Sequence, residues 1–202
     1  MIKQIEAYEP YNEQEERDKE IILSMLTEAE RMGEDIFSRE NRMAHMTASA
    51  WVVNRDRTKV LLAYHNIYNS WAWLGGHADG ERNLLSVAVR EVCEESGLTP
   101  AHVRPAWLIS QKGDLSQGSA GDIFSLEVLA VGGHFKKGEY ISSHLHLNVT
   151  YLLESDEEET LYKKEDENSS VKWFLPEEAL AASSEPWFAE HIYRKLNEKA
   201  GL

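Results

Sequence analysis

The chain has 202 residues, 42% hydrophobic and 28% charged, which fits one ordinary globular domain with its own core and excludes a disordered or fibrous class. Its 21 Lys and Arg stand against 35 Asp and Glu, a formal net charge of -14 that repels a phosphate backbone and excludes generic nucleic-acid binding. The single cysteine, Cys93, excludes an intrachain disulfide and a cysteine-built zinc site.

Residues 1–30 lack the apolar core of a signal peptide, and no stretch approaches the roughly 20 apolar residues that a membrane span needs. The chain therefore reads as cytoplasmic, without a membrane partner. From Glu13 to about Met32, the residues Ile21, Ile22, Met25, Leu26, Ala29 and Met32 recur at helical spacing, predicting an amphipathic helix. It belongs to an N-terminal helical extension of about residues 1–40 on a single domain of residues 1–202. Its polar face is not basic, so the stripe is expected to pack on the domain or on a second subunit, and a homodimer is one partner it could support.

Met46–Asn54 and Lys59–His65 read as two strands joined by the turn-rich Asn54-Arg55-Asp56-Arg57. Leu84–Ser96 reads as a second helix, closed by Gly97 where a left-handed cap belongs, with Pro100 soon after. Ala106–Gln111, Ile123–Val131, His144–Glu154 and the short Val171–Leu175 are strand-like. Ser155–Ser170 is acidic, without an apolar period, and is expected to be a surface loop. Pro176-Glu177-Glu178 starts a helix, and Trp187–Lys199 forms a closing one. This irregular alternation predicts an α/β (α+β) fold with a mixed sheet covered by helices.

The chemistry concentrates in Gly75-Gly76-His77-Ala78-Asp79-Gly80-Glu81-Arg82 and the helix after it. Leu85, Ala88, Val89 and Val92 are expected to face the core, with Glu91, Glu94 and Glu95 sharing a neighbouring arc of roughly 100°. Grouped like charges cost a helix a few tenths of a kcal/mol per pair, which bound Mg²⁺ or Mn²⁺ would offset. A solvated acidic face with Arg90 paired to Glu94 explains the same spacing.

The segment Gly76 to Leu98 resembles the Nudix box, G-x5-E-x7-R-E-U-x-E-E-x-G-U with U a bulky aliphatic residue. Gly76, Arg90, Glu91, Val92, Glu94, Glu95, Gly97 and Leu98 fall in register with it, whereas the first Glu of the pattern is replaced by Arg82, with Glu81 one residue earlier. The resemblance implies a helix-sheet-helix sandwich and a hydrolase that cuts a pyrophosphate linkage in a nucleoside diphosphate-linked or similar small phosphorylated substrate. It implies Mg²⁺ or Mn²⁺ as cofactor, held by Glu91, Glu94, Glu95 and the Gly75 carbonyl. Arg90 would orient Glu91, a candidate general base. At the missing glutamate two readings stand: Glu81 substitutes with a small loop adjustment, or one metal position is lost. Some members recruit a carboxylate from a late loop, which assigns Glu167 as a further metal ligand or base.

His77 in the box loop, and His144 and His146 on one face of a strand, are candidate substrate-binding groups, the latter pair also an incomplete transition-metal site. Trp51, Trp71 and Trp73 could stack on a substrate ring, with core packing the default. Substrate choice is expected from the loops after Gly113 and Gly133 and from residues around His144. Two rival functions are a non-catalytic ligand-binding or regulatory Nudix-like domain and an isoprenoid diphosphate isomerase, whose catalytic Cys lies outside the box, unlike Cys93.

Overall fold

The computed structural model describes residues 1–67, 69–106, 121–136, 138–164 and 168–202. Two N-terminal helices, α1 (Ile2–Ala7) and α2 (Glu13–Met32), precede β1 (Ala44–Asn54), β2 (Val60–His65), β3 (Ser70–Ala72) and β4 (Leu74–His77). Helix α3 (Leu84–Ser96) leads to β5 (Arg104–Pro105), β6 (Ser125–Val131), β7 (His134–Lys136), β8 (Glu139–Ile141), β9 (His144–Ser155) and β10 (Asn168–Phe174). The chain then ends in α4 (Pro176–Ala182), α5 (Pro186–Phe188) and α6 (Arg194–Ala200), with one π-helical turn, Ala189–Tyr193, between the last two. Eight strands share a sheet with the path β10-β2-β1-β9-β5, to which β3, β4 and β6 add by pairing with β2, β1 and β9; β7 and β8 form a separate hairpin.

The chain packs as two compact units. The first comprises Met1–Ala48, Gly76–Val87 and Ile123–Thr150. Here α2 begins at Asn12, whose side chain accepts the Glu15 N–H, and stops at Gly33, which turns left-handed at φ 69°. It buries Ile22, Leu26 and Ala29 and packs on β6, whereas the predicted stripe members Ile21 and Met32 are exposed. The buried stripe is therefore narrower than the expected one, running through Ile22, Leu26 and Ala29. Strand β6 pairs antiparallel with β9, from Ser125↔Thr150 to Val131↔His144. The Leu145 N–H donates to the Met43 carbonyl at 2.9 Å and Thr47 Oγ1 to Asn148 Oδ1 at 2.9 Å, so both partners advance in the same direction and β1 runs parallel to β9. The sheet is mixed.

Two fully buried carboxylates, Glu15 of α2 and Glu127 of β6, meet in this unit. Ser125 Oγ bonds both, reaching Glu15 at 2.7 Å. Glu127 also accepts from Asn148 Nδ2 at 2.9 Å and Thr150 Oγ1 at 2.8 Å. Glu15 takes the Tyr8 hydroxyl and, at 2.8 Å, the Tyr11 N–H. Every one of these donors is a hydroxyl or an amide. Lys19 Nζ reaches the Glu6 and Tyr8 carbonyls at 2.8 and 2.6 Å, which closes α1 onto α2.

The second unit comprises Ser49–Gly75, Ala88–Asp122 and Tyr151–Leu202. Its β2 pairs antiparallel with β1, β3 and β10. Trp51 stacks on Tyr193 with ring centroids 5.3 Å apart and Trp73 meets the same ring edge-on at 5.7 Å, so these two indoles are core and not substrate platforms. Trp71 packs edge-on against Tyr64 and Phe174. Of the strand expected at Ala106–Gln111, residues 107–111 lie outside the described residues; pairing with β9 involves Arg104 and Pro105, and the Ala106 N–H bonds the Leu152 carbonyl at 3.0 Å. The expected loop Ser155–Ser170 gives up its last three residues to β10, because Asn168 is buried and paired with His65. Among the described residues, no helix is long and apolar enough to cross a membrane.

Candidate active site

Helix α3 has the predicted ends, but its buried face differs from the expected one. Leu84, Val87, Ala88 and Val92 are fully buried, while Leu85 and Val89 are only half-buried. At about 100° per residue, the centre of that buried stripe passes between Glu91 and Glu95. The carboxylates thus occupy the C-terminal half of the same face whose N-terminal half is apolar. Their exposure is graded: the side chains are 3% accessible for Glu95, 12% for Glu91 and 45% for Glu94.

Each glutamate has its own partner. Glu95 Oε2 accepts the Gly75 N–H at 3.2 Å, and its Oε1 lies 3.7 Å from His65 Nε2. Arg90 Nη2 donates to Glu91 Oε1 at 2.8 Å, with its Nε 3.8 Å from Glu94, so the guanidinium sits on Glu91 first. Lys164 Nζ donates to Glu94 Oε2 at 3.1 Å. Burial pushes the Glu91 carboxyl above the ordinary carboxylate range, Arg90 opposes that rise, and the nearby Glu94 charge adds to it. Burial and Glu94 likewise push the Cys93 thiol up, so at neutral pH it is a protonated thiol and not a nucleophile.

The end of α3 is held from outside the helix. The Tyr162 N–H donates to the Ser96 carbonyl at 2.7 Å and Asn168 Nδ2 to the Glu95 carbonyl at 2.9 Å, satisfying two of the orphan acceptors of a helix terminus. Gly97 turns left-handed at φ 74°, and a Cβ placed there would stand 2.7 Å from Tyr162 Cβ. Asn168 Oδ1 also accepts the Lys164 N–H at 3.0 Å, which places the lysine beside Glu94.

The remaining predicted residues distribute as follows. Glu81 is exposed and accepts the Asn83 N–H at 2.7 Å, a local bond at the entry to α3. Arg82, standing where the box pattern has glutamate, pairs with Asp35 at 3.0 Å and lies 4.4 Å over the Phe37 ring. His77 ends β4, and its ring lies 5.0 Å from those of His45 and His146. His144 and His146 meet through their Nε2 atoms at 3.2 Å. Glu167 and Gly113 lie outside the described residues. Gly133 donates its N–H to Ser143 Oγ at 2.9 Å.

Sequence reasoning missed His65, Lys164, Asn168 and His45. His65 and His45 each stand alone on a strand, without a periodic partner to mark them. The lysine is one of two in an acidic run, and Asn168 reads as an ordinary loop residue.

A family model described as "NUDIX domain" matches residues 43–196. No curated protein sequence matches the chain. Among solved structures, an Ap4A hydrolase from C. elegans, crystallised as a binary complex, is similar at TM-score 0.50 and 17% identity, covering 76% of this chain and 93% of its own. The MutT protein from Methanosarcina mazei Go1 is similar at TM-score 0.50 and 14% identity, covering 78% of this chain and 96% of its own. Such identities speak for the fold alone, a mixed α+β architecture. With the family model spanning most of the chain and the box helix in the expected place, the chain belongs to the Nudix family and is a pyrophosphohydrolase of it.

Proposed function

We propose that this pyrophosphohydrolase cuts a nucleoside diphosphate-linked small molecule with Mg²⁺ or Mn²⁺, using Glu91, Glu94, Glu95 and the Gly75 carbonyl as the cation's ligands. The observation that carries the reading is the fastening of Glu95 to Gly75 at 3.2 Å, which draws a helix carboxylate onto the glycine pair of the box. The donor set fits such a cation: it consists of oxygens only, the choice of a hard ion, and it crowds negative charge that a dication would relieve. When bound, the cation supplies Lewis-acid polarisation of phosphoryl oxygens.

Glu91 takes the proton from the attacking water as the water oxygen bonds to phosphorus and the bridging P–O bond breaks, the leaving phosphate departing with the bond's electron pair. An upward-shifted carboxylate is a stronger base than an ordinary one, which suits that role near neutral pH. Arg90 holds Glu91 in one rotamer with a fork that a lysine lacks. Glu167 is retained as an additional carboxylate for the cation or the water.

The test is product release with Mg²⁺ or Mn²⁺ across nucleoside triphosphates, dinucleoside polyphosphates, nucleotide sugars and coenzyme A, comparing wild type with Glu94→Gln and Glu91→Gln. One substrate class should be turned over, and Glu91→Gln should lose roughly 10²–10⁴-fold in rate. Equal release by all three proteins overturns the site assignment.

A further inference from the structure

The first unit gathers imidazoles that the box chemistry does not use. His45 is the second residue of β1, and His144 and His146 lie two apart on β9, so both of the latter project from one face of the strand. The parallel pairing at Met43 and Leu145 brings the start of β1 alongside them. One ring nitrogen from each of His45, His144 and His146 lies within 4.8 Å of the other two. The His45 ring stacks on that of His144 at 4.9 Å and lies 5.0 Å from that of His146.

The hydrogen bonds at the outer edge of the cluster fix which nitrogens point inward. His45 Nδ1 bonds the Asn41 carbonyl at 3.0 Å, and His144 Nδ1 bonds the Ser142 carbonyl at 2.9 Å. A carbonyl only accepts, so each Nδ1 carries the proton and each Nε2 of the neutral ring presents a lone pair. This is how backbone carbonyls orient metal-ligating histidines. The consequence inside is an unbalanced arrangement: buried His45 Nε2 has no hydrogen-bond partner among the described residues, and His144 Nε2 faces His146 Nε2 at 3.2 Å. Two nitrogens each 2.0–2.1 Å from a tetrahedral ion would be about 3.3–3.4 Å apart.

We propose that His45, His144 and His146 form a second metal centre, separate in composition from the carboxylates of α3, that takes a late first-row transition ion of the Zn²⁺ class. Imidazole nitrogens without carboxylate or thiolate select such ions over Mg²⁺. Three protein nitrogens leave a coordination position for water or an anionic oxygen, the pattern of an open site and not of a closed structural one. Two of the three ligands are held toward the neutral form: burial, then His77, His45 and His144, push His146 down to about 2, and burial lowers His45 in the same direction. This inference does not depend on the proposed substrate.

The full-length protein, stripped with a chelator and kept free of Mg²⁺, is titrated with Zn²⁺ by calorimetry and with Co²⁺ by visible absorbance. Wild type should show one tight Zn²⁺ site per chain, resolved from any weaker uptake by the α3 carboxylates, and give Co²⁺ ligand-field bands of low coordination number. His144→Asn and His146→Asn should each weaken Zn²⁺ by at least about 100-fold, beyond what a change behind the ligands costs, and abolish the bands. Glu94→Gln should retain both signals. Because His45 is buried, the partly exposed His144 carries the test, with the circular dichroism of the metal-free variants confirming their fold. Zn²⁺ binding unchanged in both histidine variants, or lost only in Glu94→Gln, overturns the proposal.

Discussion

Two groups of buried glutamates in this chain are handled in opposite ways. Glu15 and Glu127 are fully enclosed and are met by the hydroxyls of Tyr8, Ser125 and Thr150 and by amides. Glu91, Glu94 and Glu95 are graded from buried to half-exposed, and the cations Arg90 and Lys164 sit beside Glu91 and Glu94. Neutral donors that enclose a carboxylate completely make a structural joint, whereas cationic neighbours around an incompletely covered set leave room for an exchangeable partner. The number of acidic residues would not have told the two apart; the type of donor and the accessibility do.

The largest expected contrast is between activity and stability at Glu91. Glu91→Gln should lose roughly 10²–10⁴-fold in turnover while its urea midpoint holds or rises slightly, because a desolvated carboxylate has been removed. A parallel fall of midpoint and turnover would merge the two groups. Glu15→Ala should do the reverse, costing on the order of 3 kcal/mol by removing the buried acceptor that Tyr8, Tyr11 and Ser125 share, with Ser125 left to Glu127 and the Tyr8 hydroxyl to the Phe124 carbonyl, and with turnover of the folded fraction kept; chemical denaturation read beside steady-state kinetics checks it.

A third prediction concerns alkali. Burial and the Glu15 charge raise the Tyr8 hydroxyl above its ordinary range, and burial does the same for Tyr151 and Tyr193. Groups raised in the folded state contribute fully below the unfolded value and lose that contribution above it. Stability should therefore be flat below about pH 10 and fall above it by up to about 1.4 kcal/mol per pH unit for each such tyrosine, as denaturant midpoints would register. The smallest effect belongs to Lys164→Ala. Its half-exposed pair with Glu94 should cost no more than about 1 kcal/mol, while the Mg²⁺ concentration giving half-maximal rate falls as a competing cation disappears.

Much of the fold was legible because its signals are local. The helical spacing from Glu13 to Met32 gives α2 its bounds, and Gly97 closes α3 where capping chemistry places it. The face of α3 was misjudged for a physical reason: Leu84 and Leu85 are equally apolar, as are Val87 and Val89, so the wheel offered two stripes and tertiary packing chose between them. That choice brought Glu95 under the helix, which no periodicity could announce. The hairpin of β7 and β8 escaped notice because its strands are short, with Phe135 and Tyr140 exposed and no buried face to alternate against. Within the candidate site, the box named the glutamates, but His65 and Lys164 arrive through strand and loop contacts from far along the chain.

The clamp on the last turn of α3 bears on transplantation. Tyr162 and Asn168 close two carbonyls of that turn, and the tyrosine occupies the space any side chain at position 97 would need. A graft of residues 75–98 onto another scaffold would carry every signature residue yet arrive with an unfinished terminus and an unfilled hollow over the glycine. The smallest portable piece is the motif together with its distant bracket, two stretches that a linear pattern counts as unrelated.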